Sequence, residues 1–258
     1  SDAIRDGDSV QAVIRGVGAS SDGRGKGITA PSTRGQIQAV NRAYMQAGYD
    51  CSTVDLVEAH GTSTVVGDAT ELNSLSEAFR NTTDGASVAV GSIKSQIGHL
   101  KAAAGIAGLI KAIRAVETGT IPPSAGFSTP NENFEWESNP FYVPTESKVW
   151  GASGQHPRRA GISSFGFGGT NFHCAIESFD LEYHKELANE FDTRRAAWLN
   201  PSSPPPSLTS VASMTHSELK QIEGGVLLAN ANNLSELKEK MASLRADLFT
   251  GSNFDDNP

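Results

Sequence analysis

The stretch SIKSQIGHLKAAAGIAG, Ser92–Gly108, decides how the rest of the chain is read. A short apolar strand, ASVAVGS (residues 86–92), runs into it, and a glycine-bounded turn carries Lys94 and His99 ahead of a helix of alanine and glycine. Strand, turn with titratable side chains, then helix is the pattern of an open α/β sheet, whose ligands gather at the C-terminal strand edges. A helix N-terminus carries partial positive charge, which disfavours imidazolium and keeps a neutral N–H on His99 available as a donor near pH 7. The small residues are expected to admit another helix at close range, with Leu100, Ala103, Ala107 and Ile110 as the buried stripe and Gly119 as the stop. The plain alternative is that alanine and glycine serve packing only and His99 is a cap.

Upstream, TVDLVEAHG (53–61) reads as a strand that delivers His60 to the same edge, followed by a sharp Gly61 turn lined by Thr62, Ser63 and Thr64. Two histidines then face one crevice, with Asp68 and Glu71 offered by the next segment; taken alone, a His-Gly-Thr turn is as well explained as plain structure. The flanks repeat the alternation. STRGQIQAVNRAYMQAGYD (32–50) is a helix with Ser32 or Thr33 as cap, Ile37, Val40, Tyr44 and Ala47 on one face and Gly48 at its end, and DATELNSLSEAFR (68–80) is a helix with Leu72, Leu75 and Phe79 inward. VQAVIRGVG (10–18) reads as a buried strand. This βαβαβα order implies parallel strands, and from Asn139 the short strands FYVP, AGISSFGFGG and NFHCAIES are expected as an antiparallel addition to that sheet.

Beyond residue 178 the composition shifts. Residues 179–225 are polar and contain NPSSPPPS, an extended linker pattern, and GGVLLANANNLSELKEKMASLRADLF (224–249) follows as one strand and one amphipathic helix with Asn233 and Glu236 placed as a capping box. Such a unit cannot bury its apolar face alone and is expected to dock or to begin a further domain.

With 258 residues, 38% hydrophobic and 19% charged, the chain suits one globular domain with an appendage. A formal net charge of -8 argues against nucleic acid as a partner, and no apolar run approaches the roughly 18 residues of a membrane span. Residue 1 is neither Met nor the start of a signal peptide, so the chain is expected to begin inside something longer or to have been trimmed. Cys51 and Cys174 form no CxxC pair, the remaining histidines (His156, His173, His184, His216) are read as showing no i, i+4 pairing with carboxylates, and no metal is expected; a reducing, cytoplasmic compartment fits. GRGKG (23–27) lacks the spacing of a phosphate-binding loop and reads as a surface loop. In SSFGFGGTNFH (163–173), Phe167 sits on a glycine loop where it either gates a pocket or plugs two strands.

Taken together and in this order, VEAHGTST (57–64), GSIKSQIGHLKAAAG (91–105) and GISSFGFGGTNFH (161–173) closely resemble the C-terminal half of β-ketoacyl synthases. SDAIRDGDSVQAVIRGVGASSDG (1–23) resembles the crossover into that half, and the proline linker with its βα unit resembles the connection toward an acyltransferase in multidomain polyketide or polyunsaturated fatty-acid synthases. The resemblance divides the chain into a ketosynthase C-terminal half (1–178), a Pro/Ser-rich linker (179–225) and the start of a linker subdomain (226–258). It implies half of a thiolase-like α/β fold, a mixed sheet with helices on both faces, plus the terminal βα unit.

It also implies a decarboxylative Claisen condensation between an acyl thioester and malonyl-acyl carrier protein. Carried over by motif, His60 and His99 donate to the malonyl thioester oxygen, Lys94 and Glu71 support them, Thr62 and Thr64 bond the phosphopantetheine arm of the carrier, and Phe167 is the gate. The nucleophilic cysteine of the family lies in the N-terminal half, so neither Cys51 nor Cys174 is assigned that role and the chain alone is expected to be inactive. No cofactor is expected beyond the carrier's phosphopantetheine; the expected partners are acyl carrier protein, the N-terminal half and, for the complete domain, a second copy. One departure is Val65, where many relatives have proline. A non-catalytic, chain-length-factor-like partner is the second reading, and a thiolase using Cys174 a third.

Overall fold

Period-two burial sets up the sheet: Leu56 and Ala89 turn to one face, Val57, Val88 and Val90 to the other, and all five are at most 5% exposed. The computed structural model describes residues 2–24, 27, 30–82, 87–151, 154–166 and 168–189. In chain order the elements are α1 (Asp2–Asp6), β1 (Ala12–Ser21), α2 (Thr33–Ala47), β2 (Leu56–Glu58), α3 (Val65–Ala78), β3 (Val88–Gly91), α4 (Lys94–Ile97) and α5 (Ala104–Thr118). β4 (Thr120–Ile121), β5 (Phe141–Tyr142), β6 (Lys148–Val149), β7 (Arg159–Gly166) and β8 (Thr170–Ser178) follow. Six strands form one mixed sheet in the order β1-β8-β7-β2-β3-β5, and β4 pairs with β6 apart from it.

Helices cover both faces. Val40, Ala43 and Tyr44 of α2 and Leu72 and Leu75 of α3 pack with Val57, Val88 and Phe141 on one side; Ala112, Ala115 and Val116 of α5 pack with Leu56, Ala160, Ile162 and Ile176 on the other. α2 starts where Ser32 accepts the Gly35 amide and stops at Gly48 in the left-handed conformation, as its caps dictate. It lies so close to β1 that a Cβ at Gly18 would stand 1.9 Å from the Ala39 carbonyl oxygen, which accounts for the glycines in VIRGVG. Val65 opens α3, a position that the fixed φ of proline also suits.

Three expectations are corrected. β1 is an edge strand, antiparallel to β8, with Ile14 and Val17 half exposed, because only β8 flanks it. Of the late strands, β5 and β7 run parallel to their neighbours β3 and β2, and β8 alone runs against the sheet. The buried stripe of α5 is Ala104, Gly108, Ala112, Ala115 and Val116, while Leu100 and Ile110 are 43% and 57% exposed. The small residues serve the sheet rather than a helix: a Cβ at Gly105 would lie 3.1 Å from Ser164 Oγ, and one at Gly108 would lie 3.0 Å from Glu58 Cγ.

Residues 181–189, expected to open the linker, are helical, and the first compact unit runs from Ser1 to Thr193. Tyr183 OH accepts from Arg159 at 2.9 Å and His184 bonds the buried Glu177 at 3.1 Å, so this helix is fastened to the ends of β7 and β8. Phe167, Gly25 and Lys26 of the GRGKG run, the proline-rich part of the linker and the βα unit at 226–258 lie outside the described residues. Among the described residues no helix is long and apolar enough to cross a membrane.

Candidate active site

Adjacent parallel strands β2 and β3 end side by side, so the turns that follow them share one edge. The Ala59 amide donates to the Gly91 carbonyl at 2.7 Å, locking the two strand ends together. From that edge His60 and His99 converge: their rings meet edge to face with centroids 5.6 Å apart, and Phe165 of β7 lies 5.8 Å from the His60 ring. The sequence pairing of the two histidines is thus a spatial one.

α3 braces the first turn. Its buried Glu71 accepts the His60 amide at 2.7 Å and the Gly61 amide at 2.9 Å, and Asp68 accepts the Ser63 amide at 3.1 Å where Ser63 adopts φ 59°. Gly61 has φ 44°, and a Cβ there would stand 2.8 Å from the Ser92 Cβ of the neighbouring turn. Thr62 and Thr64 place their hydroxyl oxygens 3.4 Å apart in the same turn. A cleft of about 850 Å³ opens beside it, between Ser63, Thr64, Ser92 and Ser95 on one side and loop 124–133 on the other.

Electrostatics follow from burial. His60, half-buried, is pushed down to about 4 by desolvation and then by the positive Lys94 and by His99, so it is neutral at neutral pH; its Nδ1 is buried with no hydrogen-bond partner. Glu71 is pushed up to about 7 by desolvation, against the pull of its two amide donors. Lys94 is held below the usual lysine range by desolvation, with Glu71 and Glu58 opposing, and it makes no ion pair with either. His99 lies below the ordinary histidine value through desolvation and the charges of Lys94 and Lys101. The helix itself begins only at Ala104, so its dipole is not what neutralises His99.

The exposed His99 turn also fixes a tautomer. The Lys101 amide donates to His99 Nδ1 at 3.0 Å, which leaves the ring proton on Nε2 and makes His99 a donor through that atom. Lys101 holds φ 54° to reach this position.

Two residues of this edge escaped the sequence reading: Glu58, 2% exposed at the end of β2, and Lys111 in α5, whose Nζ donates to Glu58 at 2.7 Å. The available signal was charge in an apolar context, a glutamate closing the strand LVE and a lysine inside GLIKAI, which only a buried pair explains. The cysteines stand apart from the site. The Cys51 thiol donates to the Ala78 carbonyl at 2.8 Å and burial pushes it up to about 12; burial pushes Cys174 up to about 11, so both are protonated and poor nucleophiles.

Residues 11–128 match the family model "Beta-ketoacyl synthase, C-terminal domain". A hybrid PKS-NRPS synthetase of Aspergillus terreus is 43% identical over 212 residues, covering 81% of this chain and 30% of that protein. One component of the polyunsaturated fatty acid synthase of Thraustochytrium sp. is 46% identical over 188 residues, 70% of this chain and 7% of its own. Among solved structures, the ketosynthase from module 6 of the bacillaene synthase of Bacillus subtilis 168 superimposes with a TM-score of 0.67 at 44% identity, covering 69% of this chain and 32% of that one. The chain spans less than a third of the length of the curated relatives named here.

Proposed function

The chain belongs to the β-ketoacyl synthases, as a C-terminal ketosynthase portion of the polyketide synthase type, and on that premise we propose that it supplies the decarboxylating half of a condensing site. The substrate is malonyl held as a thioester on the phosphopantetheine arm of acyl carrier protein. The bond from the malonyl carboxylate to Cα breaks, carbon dioxide leaves, and the electron pair is held as an enolate whose oxygen accepts hydrogen bonds from His60 and His99. The enolate carbon then attacks an acyl thioester on a cysteine contributed by the N-terminal half, releasing that thiolate and leaving a β-ketoacyl chain on the carrier. Thr62 and Thr64 bond the amides of the arm, and Phe167 gates its entry.

The observation that carries this reading is the histidine pair: two neutral rings with centroids 5.6 Å apart, one presenting Nε2–H because its Nδ1 is occupied. Fixed donors aimed at an oxygen that gains charge only in the transition state are the most effective way to lower such a barrier. Joined to its N-terminal half, the domain should decarboxylate malonyl-carrier protein, and His60→Ala or His99→Ala should cost on the order of 10²–10³-fold in kcat. A complete domain that loads acyl groups yet leaves malonyl intact in the unmutated form would overturn the reading.

A non-catalytic partner that shapes a product tunnel is the second reading; the similarity to a "PfaC Keto synthase-Chain length factor", with a TM-score of 0.62 at 39% identity over 19% of that chain, is to a protein that carries both kinds of domain and does not choose between them. Retention of both histidines argues for catalysis, since a scaffold has no enolate to hold. The discriminating feature is the residue in the nucleophile turn of the N-terminal half: cysteine for an enzyme, anything else for a scaffold. The complete domain is proposed to work as a cytoplasmic homodimer.

A further inference from the structure

Glu58 and Lys111 lie two residues from His60 and one helical turn past Gly108, yet neither lines the cleft beside the His60 turn. Glu58 Oε1 accepts the Ile93 amide at 2.5 Å, and Oε2 accepts from Lys111 Nζ at 2.7 Å. Ile93 immediately precedes Lys94, so one buried carboxylate at the end of β2 fastens the start of the turn that leads to His99. The space for this is built: a Cβ at Gly108 would stand 3.0 Å from Glu58 Cγ, and one at Gly91 would lie 3.7 Å from Lys111 Nζ and 2.9 Å from Ser124 Oγ. The charged groups gathered here alternate in sign, with Lys94 influenced by Glu71 and Glu58, and Glu58 by Lys111 and Lys94.

We propose that the Glu58–Lys111 ion pair is a positioning pair for the condensing site, holding the Ile93–His99 turn in register with His60 as Glu71 holds the His60–Gly61 turn. A buried carboxylate needs its cation to stay charged and correctly aimed, and a charged acceptor makes the stronger bond to an amide. Without Lys111 the carboxylate would have to take up a proton or move, and the His99 turn would lose its fixed point while the His60 turn kept both of its own.

The effect on chemistry rests on the decarboxylase reading above; the effect on geometry does not. In the chain joined to its N-terminal half, Lys111→Met and Glu58→Gln should lower kcat for malonyl decarboxylation about tenfold or more, leave KM for malonyl-carrier protein and the rate of acyl loading unchanged, and regain most of the rate in Lys111→Arg. Hydrogen exchange supplies the independent readout: in both variants the Ile93 amide should exchange faster, with His60 and Gly61 unchanged. An unaltered kcat, a parallel fall in acyl loading, or exchange that speeds equally at both turns would overturn the positioning role. If the unmutated protein fails to decarboxylate, the function proposed above falls, and Ile93 exchange still decides whether Glu58 anchors this turn.

Discussion

The two histidine turns occupy equivalent places after neighbouring parallel strands, yet they are held in opposite ways. The His60 turn is gripped from outside: Glu71 takes two of its amides, Asp68 a third, and Gly61 is jammed against Ser92. The His99 turn is tied to the packed domain only at its start, where Glu58 takes the Ile93 amide; at its exposed tip His99 itself is gripped from within, by the Lys101 amide on Nδ1, with Gly98 facing open space. One donor is therefore set by the packed domain and the other by a local backbone fold. A two-donor site built this way tolerates movement on one side only.

Removing the grip on the first turn should produce the largest effect. Glu71→Ala leaves the His60 and Gly61 amides without their acceptor, and we expect a loss of about 3 kcal/mol or more in urea unfolding of the chain. The glycines give a matched pair. Gly61→Ala adds a methyl 2.8 Å from Ser92 at positive φ and should cost about 2–4 kcal/mol, whereas Gly98→Ala, at φ 73° and ψ −177° with nothing near, meets no clash and should cost less, about 1–3 kcal/mol from backbone strain alone. Equal costs at the two glycines would mean that the turns are not held differently.

Acid response sharpens the same contrast. Glu71, held at about 7 when folded, keeps a proton that the unfolded chain releases near 4.5, so this group stabilises at low pH and its contribution is lost as pH rises toward 7. His60 has the opposite sign: folded at about 4 against 6.5 unfolded, it favours the native state above pH 6.5 and that contribution is lost as pH falls toward 4. Between these limits the two cancel within a single turn. Glu71→Gln removes only the first, so acid destabilisation between about pH 5 and 6.5 should steepen by about 1.4 kcal/mol per pH unit. Unfolding free energies across that range measure it, and an unchanged slope would mean that Glu71 is ionised in the native state.

Much of this edge could be read from one sequence, because its features are local. Ser32 and Gly48 bound α2, apolar alternation places β2 and β3, and the strand-turn-helix order puts His60 and His99 at one edge. What escaped depended on long-range partners. Ile110 and Leu100 fit the helical period as core, but Gly108 has to sit on Glu58, and that rotates the apolar side chains outward. β5 and β7 are too short or too uniformly buried for pattern to give their direction, which pairing with β3 and β2 sets. Glu58 and Lys111 are 53 residues apart, and only the fold makes them a pair.

The smallest effect probes the inner grip. Lys101 holds φ 54°, a conformation that costs a side chain roughly 1–2 kcal/mol and is free to glycine. Lys101→Gly relieves that strain but frees the unfolded chain, an opposing cost of up to about 1 kcal/mol, so net stability should rise by no more than about 1 kcal/mol. The amide that donates to His99 Nδ1 is retained, so the Nε2–H tautomer should persist, visible in the imidazole nitrogen shifts. The Lys101 charge that helps to hold His99 down is lost, so the His99 pKa should rise while His60, governed by burial, then by Lys94 and His99, stays near 4 and does not rise with it. If His60 moved together with His99 on this substitution, the two turns would be one electrostatic unit, and the division between an outer and an inner grip would fail at its most exposed residue.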